Sequence, residues 1–132
     1  MRRFLGLLAL VGVVLGGAFY FSSKLLYTKP YICQTDRYVY CKDPAELGLS
    51  FEDVEFDTAD GLRLSGWWIP GAVGTPTIVL VHGRGVDRHE GLRFAAPLHS
   101  AGFQVLLIDL RGCGKSQPSV STMSYYERRD VI

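Results

Sequence analysis

The chain has 132 residues, 14 of them basic and 13 acidic, for a formal net charge of +1. That length fits one modest domain, and so balanced a charge supplies no field to draw nucleic acid or an acidic partner. The 48% hydrophobic content is that of a globular chain plus one membrane-type segment, and no repeat or low-complexity tract interrupts it.

The first element is a targeting segment. Arg2-Arg3 forms a short basic flank, and Phe4 to Phe21 then runs without a charge. The run is close to the roughly 20 apolar residues needed to cross a bilayer core. Two readings stay open. Gly16-Gly17-Ala18 could serve as the small-residue cleavage site of a signal peptide. The favoured reading is an uncleaved anchor, because the apolar stretch continues through Phe19-Tyr20-Phe21, where aromatics resemble an interfacial belt. The Arg pair places the N-terminus inside, which puts the rest of the chain outside the cytoplasm, periplasmic or extracellular. No spacer separates Arg3 from Phe4 in the way a twin-arginine export signal requires. The segments are thus 1–21 as anchor or signal, 22–48 as a polar stalk with Pro30 and Pro44, and 49–132 as a domain. Within the stalk, Cys33 and Cys41 would close a short disulfide in an oxidising compartment, or are two unrelated thiols. Without a nearby His they do not read as a zinc site.

From Leu49 the pattern becomes that of a sheet. Val54 and Phe56 alternate with Glu55 and Asp57, Asp60-Gly61 makes a hairpin turn, and Leu62, Leu64, Gly66 and Trp68 alternate with Arg63, Ser65 and Trp67. Both tryptophans read as sheet packing. A loop over 71–76 leads to two uninterrupted apolar runs, Thr77–Val81 and Val105–Leu110, of the kind that suits parallel strands buried on both faces. Between them Arg88–Ala101 has helical spacing at Leu92, Ala95, Ala96 and Leu98, with Pro97 predicting a kink or restart and Gly102 a stop. Strand, helix and strand make a βαβ crossover. Tyr125–Ile132 reads as the opening turns of another helix.

Both apolar runs end in glycine-rich, charged loops, His82-Gly83-Arg84-Gly85 and Asp109-Leu110-Arg111-Gly112-Cys113-Gly114-Lys115-Ser116. Open α/β sheets place their chemistry at that edge. The order of an Asp-Gly hairpin, a strand ending in HG, a helix ending in Ala-Gly-Phe and a strand ending in DLRGCGKS resembles the N-terminal part of an α/β-hydrolase. The branch it is most similar to is that of membrane-anchored serine aminopeptidase-like or lysophospholipase-like enzymes, and the resemblance spans Leu49 to Ile132. It implies an α/β fold with an antiparallel hairpin, then parallel strands joined by a crossover helix, behind one transmembrane helix.

The same resemblance implies that the backbone N–H of Arg84 is one donor of an oxyanion hole. A fixed N–H aimed at the developing charge is worth about 3–4 kcal/mol of barrier. Gly83 and Gly85 would let the backbone approach the substrate, and His82 would organise the loop rather than act as the triad base. Asp109 and Arg111 would brace the loops by ion pairing, with Gly112 and Gly114 allowing a tight turn. Cys113 carries no role. The nucleophile expected in Gly-x-Ser-x-Gly is matched by none of the serines; Ser100 keeps only the second Gly and Ser116 only the first. The expected activity is therefore hydrolysis of ester, thioester or amide bonds in small-molecule or peptide substrates, with the catalytic triad beyond the end of this chain and no cofactor or metal. The alternative is a truncated, noncatalytic membrane-anchored remnant or interaction protein.

Three other readings fail on spacing. Gly114-Lys115-Ser116 lacks the Gly that a phosphate loop needs five residues earlier, where Asp109 stands. Gly83-Arg84-Gly85 lacks the third Gly of a dinucleotide fingerprint, since position 88 is Arg. His82, His89 and His99 have no metal-ligand spacing.

Overall fold

The computed structural model describes residues 2–27, Cys33 and residues 40–131. Helix α1 (Arg2–Leu26) is the apolar segment. From Gly6 to Leu26 its mean hydropathy is 1.8 and none of it is buried by the rest of the chain, so by length and composition it could cross a membrane. Lys24 in its last turn offsets the negative end of the helix dipole.

Four strands make one mixed sheet: β1 (Glu52–Asp57), β2 (Arg63–Ile69), β3 (Thr77–Val81) and β4 (Gln104–Ile108), in the order β1-β2-β4-β3. The Asp60-Gly61 turn pairs β1 with β2 antiparallel, Val54 facing Gly66, with Gly61 at φ 83°. β2 runs antiparallel to β4, Trp67 facing Leu107, and β3 runs parallel to β4, Leu80 facing Leu107. The turn and the two apolar runs thus become the elements their composition favours.

One face of the sheet carries the core. Trp67, Ile69, Val105 and Leu107 pack against Leu92 and Ala95 of helix α2 (Leu92–Ser100), and Leu80 and Leu98 join them from the side. Burying a Leu or Ile side chain is worth roughly 1.5–3 kcal/mol, so this cluster dominates the stability of the sheet. Tyr40, Leu47, Leu49 and Phe51 pack on the same cluster. The packed unit therefore includes part of the segment that reads as a stalk. Asp43 caps its 3-10 turn, Pro44–Leu47, through a carboxylate that accepts the Ala45 N–H. Cys33 and Cys41 form a disulfide. The rest of the expected stalk around Pro30 lies outside the described residues.

Three expectations are corrected. β3 is not buried on both faces: Val79 is 45% and Val81 50% exposed, because α2 covers one face only and nothing among the described residues covers the other. The crossover helix does not begin at Arg88; Arg88–Gly91 is a 3-10 turn capped by Asp87, and the α-helix runs from Leu92 with Pro97 inside it. It ends where Gly102 was expected to stop it, with Gly102 N–H on His99 O and Phe103 N–H on Leu98 O, a Schellman pairing. At the C-terminal end, among the described residues, a 3-10 turn forms over Glu127–Asp130 where an α-helix was expected.

Candidate active site

Parallel pairing sets Val81 beside Ile108, so the loops that leave β3 and β4 emerge side by side. His82, 6% exposed, joins them. Its Nε2 accepts the Leu110 N–H at 3.0 Å, which leaves the proton on Nδ1 to donate to Gly83 O at 2.7 Å. Both ring nitrogens are thereby committed to backbone. Gly83 N–H donates to Glu90 Oε2 at 2.7 Å. The next amide, that of Arg84, has no acceptor among the described residues. Gly85 follows at φ 79°, a left-handed conformation that turns the chain sharply after Arg84. Arg84 and Gly85 face a cavity of about 170 Å³ whose other walls include Leu110, Ser121 and Met123. Cys113 also lines it. That volume is below the roughly 300–1,000 Å³ of sites that enclose drug-sized ligands, and suits a recess for one polar group.

Charged side chains hold the second loop. Asp109, 1% exposed, accepts the Arg88 N–H and the Lys115 N–H, both at 2.9 Å, and pairs with Arg88 Nε at 3.4 Å. Gly114 lies at φ 50°, and a Cβ there would overlap the Asp109 carboxylate. Ser116 is not poised for attack: its Oγ donates to Asp109 O at 2.6 Å and accepts the Ser65 N–H at 2.9 Å. Arg111 does not pair with Asp109. Its guanidinium forks onto Asp60, at 2.9 and 3.0 Å, and reaches Asp130 at 2.7 and 2.9 Å. The Arg111 hydrogen bond is the main reason the Asp60 carboxyl is held well below the usual range, and the same bond raises Arg111. Gly112 turns the loop at φ 72°.

Several contributors carry no signal in the sequence. Arg88 is 2% exposed, lies 4.3 Å over the Trp67 ring and donates to Ser65 Oγ at 3.2 Å. It reads in sequence as an ordinary helix-starting cation. Glu90, Asp60 and Asp130 become visible only when the chain folds back on itself. The Asp87 and His89 side chains are hydrogen-bonded at 2.7 Å beside a second cavity, which Trp67 and Lys115 also line. Burial, the largest single influence, works to raise the Asp87 carboxyl, and the side-chain and backbone hydrogen bonds of His89 with the electrostatics of His89 and His82 together outweigh it, so the net direction is down. Because Asp87 also accepts the His89 N–H, the pair is the cap of the 3-10 turn. Met123 and Ser124 adopt φ of 52° and 78° beside the first cavity. Such residues cost about 1–3 kcal/mol each and persist where neighbours over-determine them. Here Glu127 does so, accepting both the N–H and the hydroxyl of Thr122. Burial, the largest single influence, works to raise the Glu127 carboxyl, and those bonds together with backbone bonds at Glu127 and Ser124 outweigh it and lower the group.

A family model described as the alpha/beta hydrolase fold matches residues 76–130. An uncharacterized protein of Mycobacterium tuberculosis is 41% identical over 64 residues, covering 47% of this chain and 23% of that protein. The uncharacterized protein YfhR of Escherichia coli is 35% identical over 91 residues, covering 65% of this chain and 31% of its own length. The Pyrococcus furiosus esterase Pf2001 superimposes with a TM-score of 0.66 at 28% identity, over 81% of this chain and 39% of the esterase. The chain thus spans between about a quarter and a third of the curated relatives it matches.

Proposed function

We propose, for a chain that belongs to the alpha/beta hydrolase fold family, that it supplies the oxyanion side of the active site in a longer, membrane-anchored serine hydrolase. The observation that carries this reading is the Arg84 amide. It lies in a turn fixed by His82 and Glu90, borders a small cavity and has no acceptor among the described residues. A donor held in that way stabilises negative charge on a carbonyl oxygen without reorganising during the reaction.

In the complete protein, a serine activated by a His–Asp pair would attack the carbonyl of an ester, thioester or amide. Its proton passes to the histidine and then to the leaving group. Water, deprotonated by the same histidine, then releases the acid and restores the serine. The nucleophile, acid and base would come from chain that follows this segment, in the aminopeptidase-like or lysophospholipase-like branch. No cofactor enters the scheme. The length and composition of α1 support anchoring, and the Cys33–Cys41 disulfide supports an oxidising, extracytoplasmic side.

The test is to reconstitute the complete protein in lipid and assay acyl esters alongside fluorophosphonate labelling. A labelled serine within Gly-x-Ser-x-Gly is expected. Arg84→Pro, which removes this N–H together with the side chain, should lower kcat by at least about 10²–10³-fold. Absence of both labelling and turnover would refute the hydrolase reading.

A further inference from the structure

The last carbonyls of a helix have no partner within it and carry the negative end of its dipole. In α1, Tyr27 N–H donates to Ser23 O, and the site supplies donors for the three carbonyls that follow. Arg84 Nη2 donates to Leu25 O at 2.6 Å and lies 3.4 Å from Lys24 O. Ser121 N–H donates to Leu26 O at 2.7 Å. Both Arg84 and Ser121 also line the cavity beside His82. The end of the apolar helix is therefore one side chain away from the oxyanion loop.

Arg84 is flanked by Gly83 and Gly85, so its peptide plane depends on bonds from other side chains, beginning with His82 Nδ1 on Gly83 O in the same peptide group. On one side the Glu90 carboxylate holds the Gly83 N–H. On the other, the guanidinium is bound to the carbonyls of α1 by a charge-assisted bond of the stronger class. We propose that Arg84 is a positioning residue: its side chain, docked on the C-terminal carbonyls of α1, holds its own amide where an oxyanion would form. On this account α1 is a structural part of the site as well as a tether. The proposal rests on the hydrolase reading for its catalytic consequence, and on the hydrogen bonds alone for the docking.

The test uses the complete protein in lipid nanodiscs, with Arg84→Met, Arg84→Lys and the control Arg63→Met, whose guanidinium pairs with exposed Asp57 away from the loop. Amide hydrogen exchange over residues 82–86 is read together with kcat and KM for a soluble acyl ester. Arg84→Met should speed exchange at Gly83, whose N–H is bonded to Glu90, about tenfold and lower kcat by a similar factor, which corresponds to about 1.4 kcal/mol. KM should change little, and protection of Val105–Ile108 should persist as the sign of an intact sheet. Arg84→Lys keeps a cation for the carbonyls and should restore most of the protection, whereas Arg63→Met should leave exchange in the loop unchanged. Unchanged exchange in Arg84→Met, or no rescue by Lys, would overturn the docking. Lost protection in Arg84→Met together with inactive wild-type protein would support the docking and sink the hydrolase reading instead.

Discussion

Arg111 is the cation on which the β4 loop depends, and its removal gives a quantitative test of that dependence. Its side chain is 3% exposed and that of Asp130 is fully buried, the two being 2.7 Å apart. Replacing Arg111 with Met preserves much of the stem and deletes the charge, leaving a buried carboxylate with no cation. Breaking a buried pair from one side costs about 3–5 kcal/mol. Asp60, 25% exposed, can take water in place of the lost bonds and adds little. The second mutation, Asp130→Asn, removes the stranded charge and keeps an oxygen for the Arg111 backbone N–H, which Asp130 accepts at 2.9 Å. The double mutant should therefore recover about 1–3 kcal/mol relative to Arg111→Met. Guanidinium unfolding, followed by the fluorescence of Trp67 in the core, measures all four corners of the cycle. Acid gives an independent reading. The folded-state pKa of Asp60 lies below the unfolded value because of Arg111, so its contribution is complete above about pH 4 and is lost as pH falls through the folded value. Arg111→Met should lose that part of the acid dependence. A loss below 1 kcal/mol in Arg111→Met, or a double mutant as unstable as the single, would refute the reasoning.

Replacing His82 with Ala leaves the Leu110 N–H and Gly83 C=O without their partner and should cost about 1–3 kcal/mol in the same unfolding assay. Gly114→Ala forces a side chain into φ 50° and against Asp109, so a loss of about 1–3 kcal/mol is expected, readable as a lower denaturation midpoint. The Cys33–Cys41 bridge joins residues eight apart, a loop whose closure is worth about 2–3 kcal/mol. Dithiothreitol and Cys41→Ser should lower stability by that amount. Thiol alkylation of protein taken directly from cells, read by intact mass, should find both cysteines blocked if the domain is extracytoplasmic.

The fold was legible where local chemistry and tertiary demand agree. Asp60-Gly61 carries a turn that its neighbours also require, and the apolar runs of β3 and β4 match the partners they find. Burial was less legible. Ile78-Val79-Leu80-Val81 has the composition of a strand covered on both sides, yet its covering is not written in the strand but in what packs over it, and α2 packs over one face. The start of that helix shows a related conflict. Apolar spacing at Leu92, Ala95, Ala96 and Leu98 predicts a helix over Arg88–Ala101, whereas Asp87 accepts the His89 N–H and tightens the first turn to 3-10. At the far end, Glu127 takes the bonds of Thr122, the chain turns through Met123 and Ser124 with positive φ, and a single 3-10 turn follows.

The site divides in the same way. His82-Gly83-Arg84-Gly85 is a local motif, so its position at the end of β3 could be read from the apolar run before it. The charges around it could not, because their pairings have no period. Arg111 meets partners 51 residues before it and 19 after it, and Arg88 meets Asp109 across 21. A polar group that must be paired once buried gives the sequence no hint of which partner it will find. These pairings nevertheless explain why two glycine-rich loops can form a defined recess. Four flexible residues, Gly83, Gly85, Gly112 and Gly114, give the chain its tight turns, and bonds from Glu90, His82, Asp109 and Arg111 remove the freedom those residues would otherwise keep. An amide can act as a preorganised donor only when that freedom is gone before the carbonyl arrives, so the long-range charge pairs are as necessary to an oxyanion site as the motif that carries the N–H.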